Sequence, residues 1–148
     1  MPQFGQFVFH HWDLFLALIV ILSLLVGQGF MGRLRGYDEI DPLDAVRKIN
    51  HEDAVLVDVR EDKEFRQGHI LDAVHIPLGT LGSRMEELDK FKGRPVIIGC
   101  RSGSRSASAC NRLRKSGFDD VYNLRGGILA WENANLPLMT QKGKRKKR

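Results

Sequence analysis

Short apolar runs alternate with segments of helical pattern through most of the chain after residue 36. The runs that we predict to be strands are residues 54–59, 73–76, 96–99 and 121–124. Continuous apolar runs of this length are typical of strands that are covered on both faces. Strands alternating with helices predict an α/β domain, a parallel sheet with helices on both faces. Ligands of such sheets bind outside the carboxyl ends of the strands, so a functional site is expected at that edge.

Helix signals occupy the segments between these runs. Asp41 is a predicted N-cap with Pro42 at the first helical position, and Leu43, Val46 and Ile49 form an apolar stripe along the helix that follows. Further helices are predicted over residues 61–67, 81–88, 106–113 and 128–133. Together these elements outline a domain over residues 37–138.

A cysteine stands at one of the strand-to-helix junctions. Cys100 follows the strand predicted for residues 96–99. Backbone N–H groups and the positive end of a helix dipole converge at such a junction and favour a thiolate over a thiol. We therefore predict that Cys100 is a nucleophile. The loop predicted to bind an anion beside it consists of Arg101, Ser102, Gly103, Ser104 and Arg105.

The remaining cysteine and the histidines do not suggest a metal centre. Two cysteines do not make a disulfide framework for a chain of 148 residues, which favours a reducing compartment. Cys110 lies on the apolar face of the predicted helix 106–113. That position favours a core residue, with a resolving thiol as the alternative. None of the five histidines pairs with a cysteine at a zinc-like spacing, so neither a metal nor a cofactor is expected.

An apolar segment precedes the domain. Residues 12–31 are interrupted only by Asp13, Ser23 and Gln28. A helix needs about 20 apolar residues to cross a bilayer, so a transmembrane helix is predicted here. It follows a short segment, residues 1–11, that lacks the basic residues of a secretory signal.

The charges around this segment predict an orientation. All 23 Lys and Arg residues lie from Arg33 onward, and residues 32–36 form a short basic linker. The positive-inside rule then predicts a single-pass protein of the inner or plasma membrane, with its N-terminus outside and its domain in the cytoplasm.

Residues 139–148 form a basic tail. Six of the seven residues from 142 to 148 are Lys or Arg. Three interpretations stay open: a disordered solvated tail, attraction to anionic lipids, and RNA binding, for which the sequence has no base-reading motif.

Several motifs occur in the order found in one known family. They are Asp58-Val59-Arg60, Glu64-Phe65, Gly68-His69-Ile70, Ala73 with Ile76-Pro77, the Cys100 loop, and Gly126-Gly127-Ile128 with Ala130-Trp131. In this combination the segment from about residue 37 to residue 137 resembles a rhodanese domain, the sulfurtransferase family.

The resemblance implies a mechanism and roles for these residues. Cys100 would take the outer sulfur of a thiosulfate-like donor or a protein persulfide, and pass it to a thiol or to cyanide. The five residues after Cys100 would bind the persulfide and the anionic substrate. Asp58 and Arg60 would belong to a buried network that orders the loop, and His69 and His75 are expected to be structural.

Two other functions are weighed against sulfur transfer. Phosphatases and arsenate reductases on a related fold carry Cys-x5-Arg, whereas Arg105 gives Cys-x4-Arg and Ser106 occupies the later position. The shorter loop suits a single sulfur better than a tetrahedral phosphate. The other alternative is a membrane-tethered interaction module with little turnover, but modules of that kind usually lack the cysteine.

Overall fold

The computed structural model describes residues 12–34 and 36–140, with the backbone alone for residues 26–34. The chain divides into two compact units, one up to Arg35 and one from Gly36 onward. The predicted N-terminal segment 1–11 and the basic run 142–148 lie outside the described residues. The three interpretations of the tail therefore stay predictions.

The first unit is one helix, α1 (Trp12–Leu34). Among the described residues, no helix combines the length and the apolarity needed to span a membrane. The prediction of a single-pass membrane protein anchored by residues 12–31 is therefore wrong.

The second unit is built on a five-stranded sheet. Its strands are β1 (Asp38–Ile40), β2 (Val55–Asp58), β3 (Val74–His75), β4 (Val96–Gly99) and β5 (Val121–Leu124). They lie in the order β1-β5-β4-β2-β3, and every neighbouring pair is parallel. This confirms the predicted α/β class with a parallel sheet. The short β1 was not predicted, because two of its three residues are charged.

Among the described residues of this unit, three α-helices and one 3-10 helix connect the strands, and a fourth α-helix follows β5. The α-helices are α2 (Pro42–His51), α3 (Asp62–Gln67), α4 (Ser104–Lys115) and α5 (Gly127–Asn133). The helix predicted over residues 81–88 is instead a 3-10 helix at Met85–Phe91. Gly82 and Ser83 are poor helix formers at the expected start, and the chain turns there before the helix begins.

Successive side chains of the central strands point to opposite faces of the sheet, and a hydrophobic core covers each face. Val57 and Ile98 point to one face of the sheet, where α4 contributes Ala109, Cys110 and Leu113. On the other face, Leu56 and Ile97 pack with Ala45 of α2 and with Ile128 and Trp131 of α5. Because both faces of β2 and β4 are buried, their sequences are continuously apolar rather than alternating, except for Asp58 at the end of β2.

Candidate active site

Cys100 lies immediately after β4, at the carboxyl edge of the sheet, and is a free, fully buried cysteine. The Gly103 N–H donates to its Sγ at 3.1 Å, and the Ser106 Oγ lies 3.3 Å from the same atom. Burial of the thiol opposes ionisation, but hydrogen bonds from the Ser106 hydroxyl and from the N–H groups of Ser106, Gly103 and Ser102 together lower the pKa of Cys100 below its ordinary value. The fold thus favours a thiolate at this position.

Helix α5 sets the direction of the peptide groups in the loop. The Ile128 N–H donates to the Cys100 carbonyl at 2.8 Å, and the Leu129 N–H donates to the Arg101 carbonyl at 3.2 Å. In a trans peptide the C=O and the following N–H point in opposite directions. Holding the Arg101 carbonyl toward α5 therefore turns the Ser102 N–H toward the sulfur.

Two glycines make this arrangement possible. Gly103 caps α4 at φ +103°, a conformation that side chains disfavour. Gly127 has φ +60°, and a Cβ there would lie 2.3 Å from the Cys100 carbonyl oxygen. Only glycine lets α5 approach the loop so closely.

Arg105 holds the loop against α3. Its two terminal nitrogens donate to the two carboxylate oxygens of Glu64 at 2.7 and 2.8 Å. The hydrogen bonds from Arg105 lower the pKa of Glu64 to about 2, although partial burial of the carboxylate opposes this. Arg105 is thus engaged by Glu64 and is not a free anion-binding group in this conformation.

The other predicted loop residues differ in exposure. Arg101 is exposed, and among the described residues no ion-pair partner of Arg101 is found. It lines an open cleft of about 190 Å³ together with Arg60, Glu64 and Glu132. The side chains of Ser102 and Ser104 are exposed, and Ser104 begins α4. The loop therefore contributes its backbone to the sulfur and Arg101 to the cleft.

Asp58 and Arg60 form a buried ion pair beside the loop. The Arg60 Nη2 lies 2.7 Å from the Asp58 Oδ2 and also donates to the Gly68 carbonyl at 2.7 Å. Asp58 is paired in the sheet with Gly99, the residue before Cys100. The pair therefore joins the ends of β2 and α3 next to the base of the loop, where a charge without a partner would be costly.

The histidines pack around Phe65. His69 and His75 stack on its ring at centroid distances of 4.0 and 4.1 Å. The His75 Nε2 lies 2.8 Å from the Arg60 carbonyl oxygen, and the His69 Nδ1 lies 3.0 Å from the Phe65 carbonyl oxygen. These contacts are structural in kind, and neither ring is hydrogen-bonded to the Cys100 sulfur.

Cys110 is separate from this chemistry. It lies on the buried face of α4 in the core, and burial raises the pKa of its thiol to about 12. It therefore remains a thiol at ordinary pH. Within residues 12–34 and 36–140, no group of three or more His, Cys, Asp or Glu residues is placed to hold a metal ion.

Three residues around the sulfur are not identified by the sequence pattern alone. Ser106 enters the pattern only by its position in the loop, Glu64 only as part of a motif, and Asn123 not at all. A usable signal exists for Asn123, because it is a lone amide within the apolar run that forms β5. Buried polar residues in such a strand generally need a specific partner.

The fold and the site together define a class of protein: a parallel α/β domain with a reactive cysteine in the loop after a central strand. Residues 41–134 match the model of the rhodanese-like domain family. The chain belongs to this family.

Similar proteins span the chain to different extents. YibN of Escherichia coli K12 is 36% identical over 143 residues, which are 96% of this chain and 100% of that protein. A sulfurtransferase of Allochromatium vinosum is 44% identical over 97 residues, 66% of this chain and 89% of its own length. The crystal structure of a rhodanese-related protein from Thermoplasma volcanium covers 71% of this chain and 100% of that chain, with 28% identity and a TM-score of 0.64.

Proposed function

We propose that the protein is a rhodanese-type sulfurtransferase that carries sulfane sulfur as a persulfide on Cys100. The observation that carries the proposal is the convergence of backbone N–H groups and the Ser106 hydroxyl on the Cys100 sulfur, which lowers its pKa. A thiolate is the form of cysteine that attacks sulfur. The relative from A. vinosum, named a sulfurtransferase, supports the same reaction class.

In the first step, the Cys100 thiolate attacks the outer sulfur of a donor such as thiosulfate. A bond forms between Sγ and that sulfur, and the bond from the outer sulfur to the sulfonate breaks. Sulfite leaves with the electron pair, and the negative charge of the new persulfide resides on its outer sulfur. Arg101 in the adjacent cleft supplies positive charge for the departing anion.

In the second step, an acceptor removes the outer sulfur. Cyanide or a thiolate attacks it, the sulfur–sulfur bond breaks, and Cys100 returns as a thiolate. The products are thiocyanate or an acceptor persulfide. The acceptor is a small thiol, a protein thiol or cyanide. No general base is needed, since both nucleophiles react as anions.

The state of Arg105 argues against phosphoryl transfer. In a phosphatase loop the arginine would bind the phosphate, whereas both terminal nitrogens of Arg105 bind Glu64 here. No specific observation favours an interaction module, because the chain keeps both the Cys100 thiol and the groups that donate hydrogen bonds to it.

The proposal is tested with thiosulfate and cyanide. The full-length protein should form thiocyanate, and thiosulfate alone should add the mass of one sulfur atom to the intact chain. Cys100→Ala should abolish both, whereas Cys110→Ala should retain both. Absence of Cys100-dependent thiocyanate together with absence of the added sulfur would overturn the proposal.

A further inference from the structure

Ser106 and Asn123 form a buried polar chain behind the Cys100 sulfur. Ser106 is completely buried and Asn123 is 4% exposed. The Ser106 Oγ lies 3.3 Å from the Cys100 Sγ and 2.6 Å from the Asn123 Oδ1. The Asn123 Nδ2 lies 3.2 Å from the Gly103 carbonyl oxygen. The chain thus runs from the sulfur through a hydroxyl and an amide to the backbone of the loop.

The orientation of the amide determines where the serine proton lies. The Gly103 carbonyl can only accept, so the Asn123 Nδ2 must face it and the Oδ1 must face Ser106. Two oxygens 2.6 Å apart need a proton between them, and only the serine hydroxyl has one. While Cys100 is a neutral thiol, the Ser106 O–H therefore points at Asn123.

Ionisation of Cys100 changes this preference. A thiolate is a stronger acceptor than an amide oxygen because hydrogen bonds to a charged group are stronger. The Ser106 hydroxyl has only one proton, so it cannot satisfy both the thiolate and Asn123. Turning it toward sulfur leaves the Asn123 Oδ1 without this donor in a site closed to water.

We propose that the Ser106 hydroxyl is a two-position donor, directed at Asn123 when the Cys100 sulfur is uncharged and at the sulfur when it is a thiolate. Asn123 is then a positioning residue that acts through Ser106 and opposes ionisation. The inference rests on the proposed function and deepens it, since it assigns two residues to the reacting sulfur.

The two positions correspond to stages of the sulfur cycle. In the persulfide the charge lies on the outer sulfur, and Sγ is an uncharged divalent atom, so the hydroxyl returns to Asn123. When the acceptor removes the sulfur, the thiolate reappears and the hydroxyl turns back. The proton stays on Ser106 throughout, so the rotation needs no proton donor or acceptor. The competition also preserves nucleophilicity, which falls as the pKa of a thiol falls.

The test is an ultraviolet titration of the Cys100 thiolate in the full-length protein, without donor or acceptor. Ser106→Ala should raise the titration midpoint by about one pH unit, because a donor to the thiolate is lost. Asn123→Leu should lower it by a similar amount, because Ser106 is then free to face the sulfur. In the Ser106→Ala background, Asn123→Leu should have no effect.

Three control variants identify the signal. Cys100→Ala removes the titration. Ser108→Ala changes an exposed serine on the same helix and should leave the midpoint unchanged. Ser106→Thr keeps a hydroxyl and should return the midpoint from the Ser106→Ala value to the wild-type value. The charge of Cys100 interacts with Arg105, which is paired with Glu64, and with the Cys110 thiol, which stays protonated. They are unchanged in every variant.

A rise of the midpoint in Asn123→Leu, or an equal shift with and without the Ser106 hydroxyl, would overturn the inference. Either result would show that Asn123 acts through the position of the loop instead. Should the leucine variant not fold, nitrogen NMR of the wild-type Asn123 side-chain amide provides a second test. Its shift should titrate with Cys100 in the wild type but much less in Ser106→Ala, and an equal response in both would again overturn the inference. Because neither measurement involves sulfur transfer, failure here is distinct from failure of the proposed function.

Discussion

At the scale of single residues, the conformation of the Cys100 loop depends on glycine, which has no side chain. Gly127→Ala should abolish most sulfur transfer, because the new Cβ would lie 2.3 Å from the Cys100 carbonyl oxygen and displace the loop. We expect the Cys100 thiolate midpoint to rise as the N–H groups move away from the sulfur. Thiocyanate formation and the ultraviolet titration measure the two effects.

Gly117→Ala is the matched control. Gly117 also has a positive φ, at +90°, but no atom lies within 4 Å of a Cβ at that position. It should lose stability from backbone strain, by about 1 kcal/mol, and keep its activity. Equal loss of activity in the two variants would indicate that backbone strain, rather than displacement of the loop, is responsible.

The two cysteines should respond in opposite ways to substitution. Cys110→Ala should leave sulfur transfer and the Cys100 titration unchanged, because its pKa of about 12 keeps the thiol protonated. It should cost about 1 kcal/mol of unfolding free energy through the small cavity it leaves. Steady-state rates and urea unfolding measure these quantities. A well-folded variant that loses transfer would restore the interpretation of Cys110 as a resolving thiol.

The sequence predicts the role of some site residues but not of others. Cys100 stands out because arginine, serine and glycine cluster after an apolar strand. Ser106 and Asn123 are 17 residues apart, and only the pairing of β4 with β5 brings them together. A contact that depends on the path of the chain in space leaves no local pattern.

At the scale of elements, the Glu64–Arg105 ion pair ties α3 to α4. The ordinary pKa of Glu64 is 4.5 and the folded value is about 2. A lowered folded pKa contributes stability that is fully present above the unfolded value and is lost as the pH falls toward the folded value. For this partly buried pair we expect a contribution of about 1 to 3 kcal/mol.

Glu64→Gln should remove that dependence. Urea unfolding at about pH 6 and about pH 3 should show a smaller difference in free energy for the variant than for the wild type. Glu87→Gln, which breaks an exposed pair with Arg84, is the control and should resemble the wild type. Wild-type behaviour of Glu64→Gln would show that the ion pair adds nothing to stability.

The elements themselves could be predicted where local signals and tertiary packing agree. β4 and β5 begin and end where the apolar runs do, and α2 begins at Pro42 after Asp41 as expected. The cap differs in detail, since the Asp41 carboxylate binds Arg125 rather than the helix. The helix expected over residues 81–88 lies at Met85–Phe91, because the chain first turns at Gly82 and Ser83. β1 was not predicted, because its place in the sheet depends on pairing with β5.

At the scale of the molecule, both hydrophobic cores are complete within residues 37–138. We therefore expect a chain that begins at Gly36 to unfold in one cooperative transition. Its thermal midpoint and Cys100 titration should match those of the second unit in the full-length chain. Circular dichroism and the ultraviolet titration provide the comparison. A truncated chain without a cooperative transition would show that the first unit is needed for folding.

The fold class could be predicted because it depends on the alternation of strands and helices, and this alternation is visible in the order of apolar runs and helical patterns in the sequence. The apolar composition of residues 12–31 led to the wrong localisation. Composition shows that side chains prefer an apolar environment, but it does not by itself show that a segment crosses a membrane.

The position of β1 in the sheet has a consequence for synthesis on the ribosome. Among the strands of the described sheet, β1 is made first, yet its neighbour there is β5, whose residues come more than eighty positions later. The sheet can therefore close only after residue 124 has been made, and the Cys100 loop gains its anchors only when Ile128 and Leu129 follow. Long-range parallel pairing of this kind forms slowly. We expect a nascent chain that is interrupted before α5 to contain the cysteine without the environment that activates it.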